Sequence, residues 1–192
     1  MRLFLGIDVG EEARGVLAAS IEQLRRRAPD AKWVPSENLH ATLVFLGWIE
    51  EERLDSLRRT LDEVGARHPS ATLRVAGGGT FGTKKRPRVL FAALEGEVER
   101  AARMQADLES AMTAFGCQPE KRPYHPHVTL ARARDPRGDA GLAACVEPLA
   151  DLPRLPVDAS EIVLYQSTLQ RSGARYSALH RARLTAPVRA PT

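Results

Sequence analysis

The chain has 192 residues, 43% apolar and 27% charged, which fits a globular protein with one substantial core or two small lobes. No stretch reaches the roughly 18 apolar residues that a membrane-spanning helix needs. The apolar run at the start is too short for a secretory signal, and Cys117 and Cys145, lacking C-x-x-C spacing, argue against a disulfide framework or structural zinc.

The expected compartment is therefore the cytoplasm. The net charge of +4 rests on 24 Arg against four Lys. Arginine forms forked contacts with phosphate, so a polyanion such as RNA is a candidate partner. A compositional bias toward Arg and Ala explains the same numbers equally well.

Taken in chain order, residues 2–9 alternate apolar positions and read as a strand. Residues 11–28 read as an amphipathic helix, with acidic residues in the first turn and Arg25, Arg26 and Arg27 in the last, before Pro29. Residues 39–46 form a strand that Gly47 ends. Residues 51–67 form a helix with Leu54, Leu57, Leu61 and Val64 on one face. Residues 71–76 form a strand closed by Gly77-Gly78-Gly79. The order then recurs: strand 88–94, helix 97–115, strand 126–132, a short helix at 139–146 and strand 160–169. Residues 174–184 form a hairpin partner across Arg171-Ser172-Gly173. Pro187 and Pro191 mark a tail expected to fray.

Two of these strands carry the same words. His40-Ala41-Thr42-Leu43 and His127-Val128-Thr129-Leu130 each place a histidine two residues before a threonine. A strand has a side-chain period of two, so His and Thr share a face, roughly 6–7 Å apart along the strand. Five histidines and 19 Ser or Thr in 192 residues predict about half an H-x-[S/T] match by chance, yet three occur. The third, His68-Pro69-Ser70, lacks the apolar residue after the hydroxyl, and Pro69 argues against a central strand. The other two stand about 87 residues apart at corresponding places in the repeated order.

The expected architecture is α+β: a bilobal, pseudo-symmetric duplication with two antiparallel sheets facing a central groove and helices on the outer faces. The approximate halves are 1–83 and 88–185 of one 1–192 domain, meeting near Lys84-Lys85-Arg86-Pro87. The His/Thr faces line the groove, and Ala41, Leu43, Phe45, Val128 and Leu130 face the core.

The chemistry follows from residue type. Histidine exchanges protons near neutrality. Attack on a phosphodiester by water needs a base on one side of phosphorus and an acid on the other. Two pseudo-symmetric strands supply that pair, and Thr42 and Thr129 can donate hydrogen bonds to the non-bridging oxygens. Strict alternation puts Arg132 on the face opposite His127, so it reaches phosphate only from the strand end or after a bulge. Tyr124, Phe81 or Trp48 could stack on a base, a structural role being the commoner fate of each. His125-Pro126-His127 lacks the acidic partner and third histidine of a metal site, so no metal or cofactor is expected and His125 reads as a groove-edge residue.

These motifs resemble the 2H phosphoesterase superfamily and, within it, the bacterial RNA 2′,3′-cyclic phosphodiesterases, also known as 2′-5′ RNA ligases. The similarity spans nearly the whole chain. It includes Arg2-Leu3-Phe4, Trp33-Val34, Glu37-Asn38-Leu39 running into the first motif and Phe45-Leu46-Gly47, then Pro87-Arg88-Val89-Leu90. It continues through the second motif into Ala131-Arg132 and ends with Ser167, Leu169, Gly173-Ala174 and Tyr176. The resemblance implies metal-independent opening of a terminal RNA 2′,3′-cyclic phosphate to a 2′-phosphomonoester, with cyclic nucleotides as small substrates and a monomeric enzyme. It implies His40 as proton donor, His127 as proton acceptor, Thr42 and Thr129 as phosphate-binding residues, and Arg132 as a possible substrate contact. The residues themselves are symmetric as to which histidine is the acid. Two alternatives remain: 2′-5′ ligation, since a 5′-hydroxyl could replace water in the same site, and a non-catalytic RNA-binding module.

Overall fold

A computed structural model describes residues 1–120, 122–171 and 173–186; of the tail expected to fray from Ala186, residues 187–192 lie outside that range. The first strand, β1 (Arg2–Asp8), leads into helix α1 (Glu11–Leu24), whose Ala13, Leu17, Ile21 and Leu24 are buried. The helix stops at Leu24 rather than at residue 28, so the arginine triplet lies beyond the last turn. Pro29 disfavours a helical residue before it, and the Ala28 carbonyl accepts the Trp33 indole N–H at 3.0 Å.

A two-residue strand, β2 (Lys32–Trp33), and a 3₁₀ turn (Ser36–Asn38) precede β3 (His40–Trp48), the first motif strand. Helix α2 (Leu54–Gly65) buries Leu54, Leu57, Leu61 and Val64, as the spacing requires, after a 3₁₀ turn at Glu51–Arg53. His68, the discarded third match, bonds Asp107 at 2.9 Å, away from the motif strands.

Strand β4 (Ala71–Gly82) is twice as long as expected, because the three glycines do not end it. Gly77, at φ +65°, opens a bulge between Val75 and Gly78 in the pairing with β5 (Pro87–Gly96). A Cβ on Gly78 would collide with the Leu149 side chain and come within 2.6 Å of the Phe91 carbonyl, and one on Gly79 within 2.8 Å of the Phe91 ring. These glycines make room for neighbours.

Helix α3 (Val98–Met112) ends in a 3₁₀ turn and Gly116 at φ +88°, and β6 (His127–Arg132) carries the second motif. The short helix expected at 139–146 is two: α4 (Ala140–Ala143) and α5 (Val146–Leu149). A four-residue strand, β7 (Pro156–Ala159), escaped the sequence reading. The hairpin β8 (Glu161–Gln170) and β9 (Gly173–Arg183) closes the chain.

Among the described residues the named strands all pair antiparallel, in the order β7-β4-β5-β6-β3-β1-β8-β9, with β2 on β6. The two expected sheets are joined into one hydrogen-bonded surface by a single residue pair, Ala41 with Val128. One side of that pair holds β1, β3, β8 and β9, and the other holds β4 to β7. The halves exchange strands: β4 crosses from the first half to the second lobe, and β8 and β9 cross back. Helix α2 packs on β8 and β9, α3 on β3 and β4, and α5 on β4. Beneath them one continuous apolar core includes Ala41, Leu43, Val128 and Leu130. No helix among the described residues is long and apolar enough to cross a membrane. Cys117 and Cys145 are free, buried thiols.

Candidate active site

The Ala41–Val128 pair fixes the site. On antiparallel strands this register sets His40 level with Thr129 and Thr42 level with His127, so imidazoles and hydroxyls alternate around the junction. Thr42 and Thr129 are half-buried, their motif neighbours Ala41, Leu43, Val128 and Leu130 fully so.

Both histidines are held alike. His40 Nδ1 donates to the Asn38 carbonyl at 2.7 Å, and His127 Nδ1 donates to the His125 carbonyl at 2.7 Å. A carbonyl can only accept, so the Nδ1 atoms carry hydrogens and each Nε2 is left for chemistry. His40 Nε2 lies 2.9 Å from Thr42 Oγ1. With His40 neutral, the hydroxyl donates to it. His125, named above as a groove-edge residue, is exposed and serves through its carbonyl.

Aromatic rings enclose both imidazoles. Phe4 lies 4.7 Å from His40, Tyr176 meets it edge-on at 5.4 Å, and Tyr165 stands at 5.8 Å. Phe81 and Phe91, stacked at 4.4 Å, flank His127 at 4.9 and 5.2 Å. Gly6 gives His40 its space, since a Cβ there would approach the ring to 3.3 Å and the Ala41 carbonyl to 2.9 Å.

This enclosure sets the protonation. Burial lowers His40 from 6.5 to about 4; the Asn38 hydrogen bond opposes the shift, and the charges of Arg132, Arg14 and His127 add to it. Burial also lowers His127, opposed by the His125 hydrogen bond and helped by Arg132. The Tyr165 phenol is pushed up to about 12, first by burial, so it keeps its proton at neutral pH.

The depressed His40 has a consequence for stability. Between pH 6.5 and about 4 the unfolded chain binds a proton at this residue that the folded chain does not, so stability falls as pH falls through that window. The shift corresponds to at most about 3 kcal/mol, reduced by the exposed edge of the ring. His40→Gln should therefore lose less stability than the wild type between pH 7 and 4.5, read from urea midpoints. Parallel loss in both proteins would exclude this role.

Two bulges place residues that strict alternation misplaces. In the β1–β3 pairing Gly6 faces Thr42 while Leu5 faces Val44, so Leu43 is the extra residue. In β5–β6, Phe91 faces Thr129 and Leu90 faces Ala131, so Leu130 is the extra residue. Both follow the threonine of their motif. Phe45, expected in the core, is instead 66% exposed and lies beside Phe4, 6.2 Å between ring centres. Arg132 turns onto the face of His127, near enough to lower both imidazoles.

Of the three stacking candidates, Phe81 stands beside His127, Trp48 is 82% exposed, and Tyr124 packs against the core with its hydroxyl buried. The sequence reading missed Asn38 as a functional residue. It is buried, its amide donates to the Ala174 carbonyl at 2.6 Å, and its side-chain oxygen accepts from Tyr176 N–H, tying β9 to the turn that holds His40. It also missed Phe4, Tyr165 and Phe91, and Arg14, which bonds the Ser36 and Leu39 carbonyls and Asp8. Phe4 and Tyr176 appeared only within the quoted segments. Among the described residues no cluster of three or more His, Cys, Asp or Glu could hold a metal ion.

A family model described as the 2′-5′ RNA ligase superfamily matches residues 14–171. The chain belongs to that superfamily. Its relatives include a Thermotoga maritima protein named RNA 2′,3′-cyclic phosphodiesterase, 31% identical, the match covering 94% of each chain. An Escherichia coli K12 protein of the same name is 31% identical, with 96% of this chain and 97% of that one covered. Among solved structures, one from Thermus thermophilus aligns with a TM-score of 0.75 at 28% identity over 97% of this chain and 99% of that chain. E. coli LigT complexed with 3′-AMP aligns at 0.68 and 26% identity, covering 96% of this chain and 98% of that one. The superfamily resemblance of the paired H-x-T motifs, and the α+β antiparallel fold it implies, are thus both met.

Proposed function

We propose that this superfamily member hydrolyses the 2′,3′-cyclic phosphate at the end of an RNA strand to a 2′-phosphomonoester, without a metal. The observation that carries the reading is the juxtaposition, at the Ala41–Val128 pair, of two imidazoles whose Nδ1 atoms are tied to backbone, which leaves the Nε2 atoms for proton transfer, that of His40 while it accepts the Thr42 hydroxyl. The relatives named for this activity support it.

In the proposed reaction His127 Nε2 takes a proton from water as its oxygen bonds to phosphorus. The P–O3′ bond breaks, and His40 Nε2–H gives its proton to O3′. The products are a 2′-phosphate and a free 3′-hydroxyl, and solvent resets the two imidazoles. Thr42 and Thr129 hold the non-bridging oxygens, and Arg132 adds positive charge from the strand end. The anionic substrate favours a protonated imidazole and counters the burial that lowers His40 in the free protein. We place this activity in the cytoplasm, in a monomer that also accepts cyclic nucleotides.

One assay tests the reading. Cytidine 2′,3′-cyclic phosphate is incubated with the protein, with and without EDTA, across pH 4–9. The expected product is the 2′-phosphate, at a rate that EDTA leaves unchanged. Both histidines titrate below 6.5 in the free protein, so kcat/KM should be bell-shaped with both limbs below that value. The basic limb of kcat should lie higher, because bound anion raises both. A 3′-phosphate product would overturn the assignment of O3′ as leaving group, and absence of turnover would overturn the function.

A further inference from the structure

The two histidines are held by the same bond, but the carbonyls that hold them are fixed in different ways. His125 precedes Pro126, and a residue before proline is confined to extended backbone. The carbonyl that holds His127 is therefore set covalently, and Leu94 N–H adds a bond to the Pro126 carbonyl at 3.2 Å. Asn38 precedes Leu39, which imposes no such restraint. Its carbonyl, 2.7 Å from His40 Nδ1, depends on side chains for its direction.

Two side chains grip that turn from opposite sides. On the α1 side, one nitrogen of the Arg14 guanidinium donates to the Ser36 and Leu39 carbonyls at 2.8 and 3.1 Å, and so spans the Asn38 peptide. Its other terminal nitrogen is tied to Asp8 at 2.7 Å. On the β9 side, the Asn38 amide donates to the Ala174 carbonyl at 2.6 Å and accepts from Tyr176 N–H at 3.3 Å. A carbonyl only accepts and an N–H only donates, so the orientation of the amide is decided. One side chain there stands in for a peptide of a neighbouring strand. Aspartate lacks the donor, and glutamine carries its amide one methylene too far. Asn38 is 5% exposed, so water does not replace either bond.

The grip bears on the ring. Thr42 Oγ1, 2.9 Å from His40 Nε2, can accept as well as donate. Without a firm carbonyl at Nδ1, His40 is free to become the Nε2–H tautomer and give that hydrogen to Thr42. Held at Nδ1, the ring has one open nitrogen, and the proton it takes from solvent sits on Nε2, where the leaving oxygen needs it.

We propose that Asn38 is the positioning residue of the proton donor: by bolting its own peptide to β9 it fixes the tautomer and direction of His40, and it has no such hold on His127. The reaction part of this inference rests on the phosphodiesterase reading above.

Imidazole ¹⁵N spectra at pH 8 test the ring directly. In the wild type both His40 and His127 should be Nδ1–H tautomers. Asn38→Ala should move His40 largely to the Nε2–H form and leave His127 unchanged, whereas a general loosening of the fold would move both. Arg14→Lys keeps the charge and loses the fork, so it should move His40 the same way by less, and it serves if the alanine variant does not fold. On cytidine 2′,3′-cyclic phosphate, Asn38→Ala should lose about 10–100-fold in kcat, with KM within about threefold of wild type. On the analogue with sulfur at the 3′ position, whose thiolate leaves unprotonated, the loss should shrink to about threefold or less. An unchanged His40 tautomer in both variants, or equal losses on the two substrates, would overturn the inference. Absence of wild-type turnover would remove the phosphodiesterase reading, and the spectra would still decide whether Asn38 sets the ring.

Discussion

Alanine at His40 or at His127 should lower kcat for a nucleoside 2′,3′-cyclic phosphate by about 10²–10⁴-fold, the usual worth of a positioned acid or base. The fold should survive, because each ring sits on the groove face and the core beneath it is made by Ala41, Leu43, Val128 and Leu130. Circular dichroism and a melting curve check that point. The two variants are then told apart by the leaving group. A cyclic substrate with sulfur in place of O3′ expels a thiolate, which needs no proton. His40→Ala should regain most of its rate on that substrate, and His127→Ala should not, because water still lacks its base. Rescue of His127→Ala alone would exchange the two roles. Full activity of either variant on the oxygen substrate would sink the paired acid–base mechanism.

Thr42→Val and Thr129→Val should each cost about 10²–10³-fold in kcat, by analogy with loss of one oxyanion donor. Valine keeps the β-branched shape that the strand accepts, so packing changes little. Thr→Ser at either position should restore most of the rate, because the donor returns. Thr42 also attends the imidazole, since its hydroxyl lies 2.9 Å from His40 Nε2 in the free protein. Thr42→Val should therefore shift the pH profile as well as its height, and Thr129→Val should change the height alone. A rate within threefold of wild type in both valine variants would leave the hydroxyls without a catalytic part.

The H-x-T pairs were legible because a strand's period of two is rigid over three residues, and His40-Thr42 and His127-Thr129 need no more than that. Alternation failed one residue later. The extra residue falls at Leu43 in one motif and at Leu130 in the other, and a leucine in a strand carries no mark of a bulge. Phe45 was assigned to the core for that reason, and Arg132 could be placed only conditionally. The aromatic wall around His40 was hidden by topology: Tyr165 and Tyr176 come from strands more than a hundred residues away, which cross back into the first lobe. The glycine run at 77–79 was misread because glycine ends strands by default, and only the positions of Leu149 and Phe91 show what it makes room for. Strand β7 was lost to its brevity.

The twin bulges do more than correct an alternation. They bring forward the third residue after each threonine, where the two strands differ in kind: an aromatic ring in one, a guanidinium in the other. A cradle with true twofold symmetry would accept a nucleotide in either of two opposite senses with equal ease. In the proposed reaction Phe45 and Arg132 would remove that degeneracy, because a base face suits the first and a phosphate the second. One position that is chemically unlike in the two motif strands would thus give the site a head and a tail.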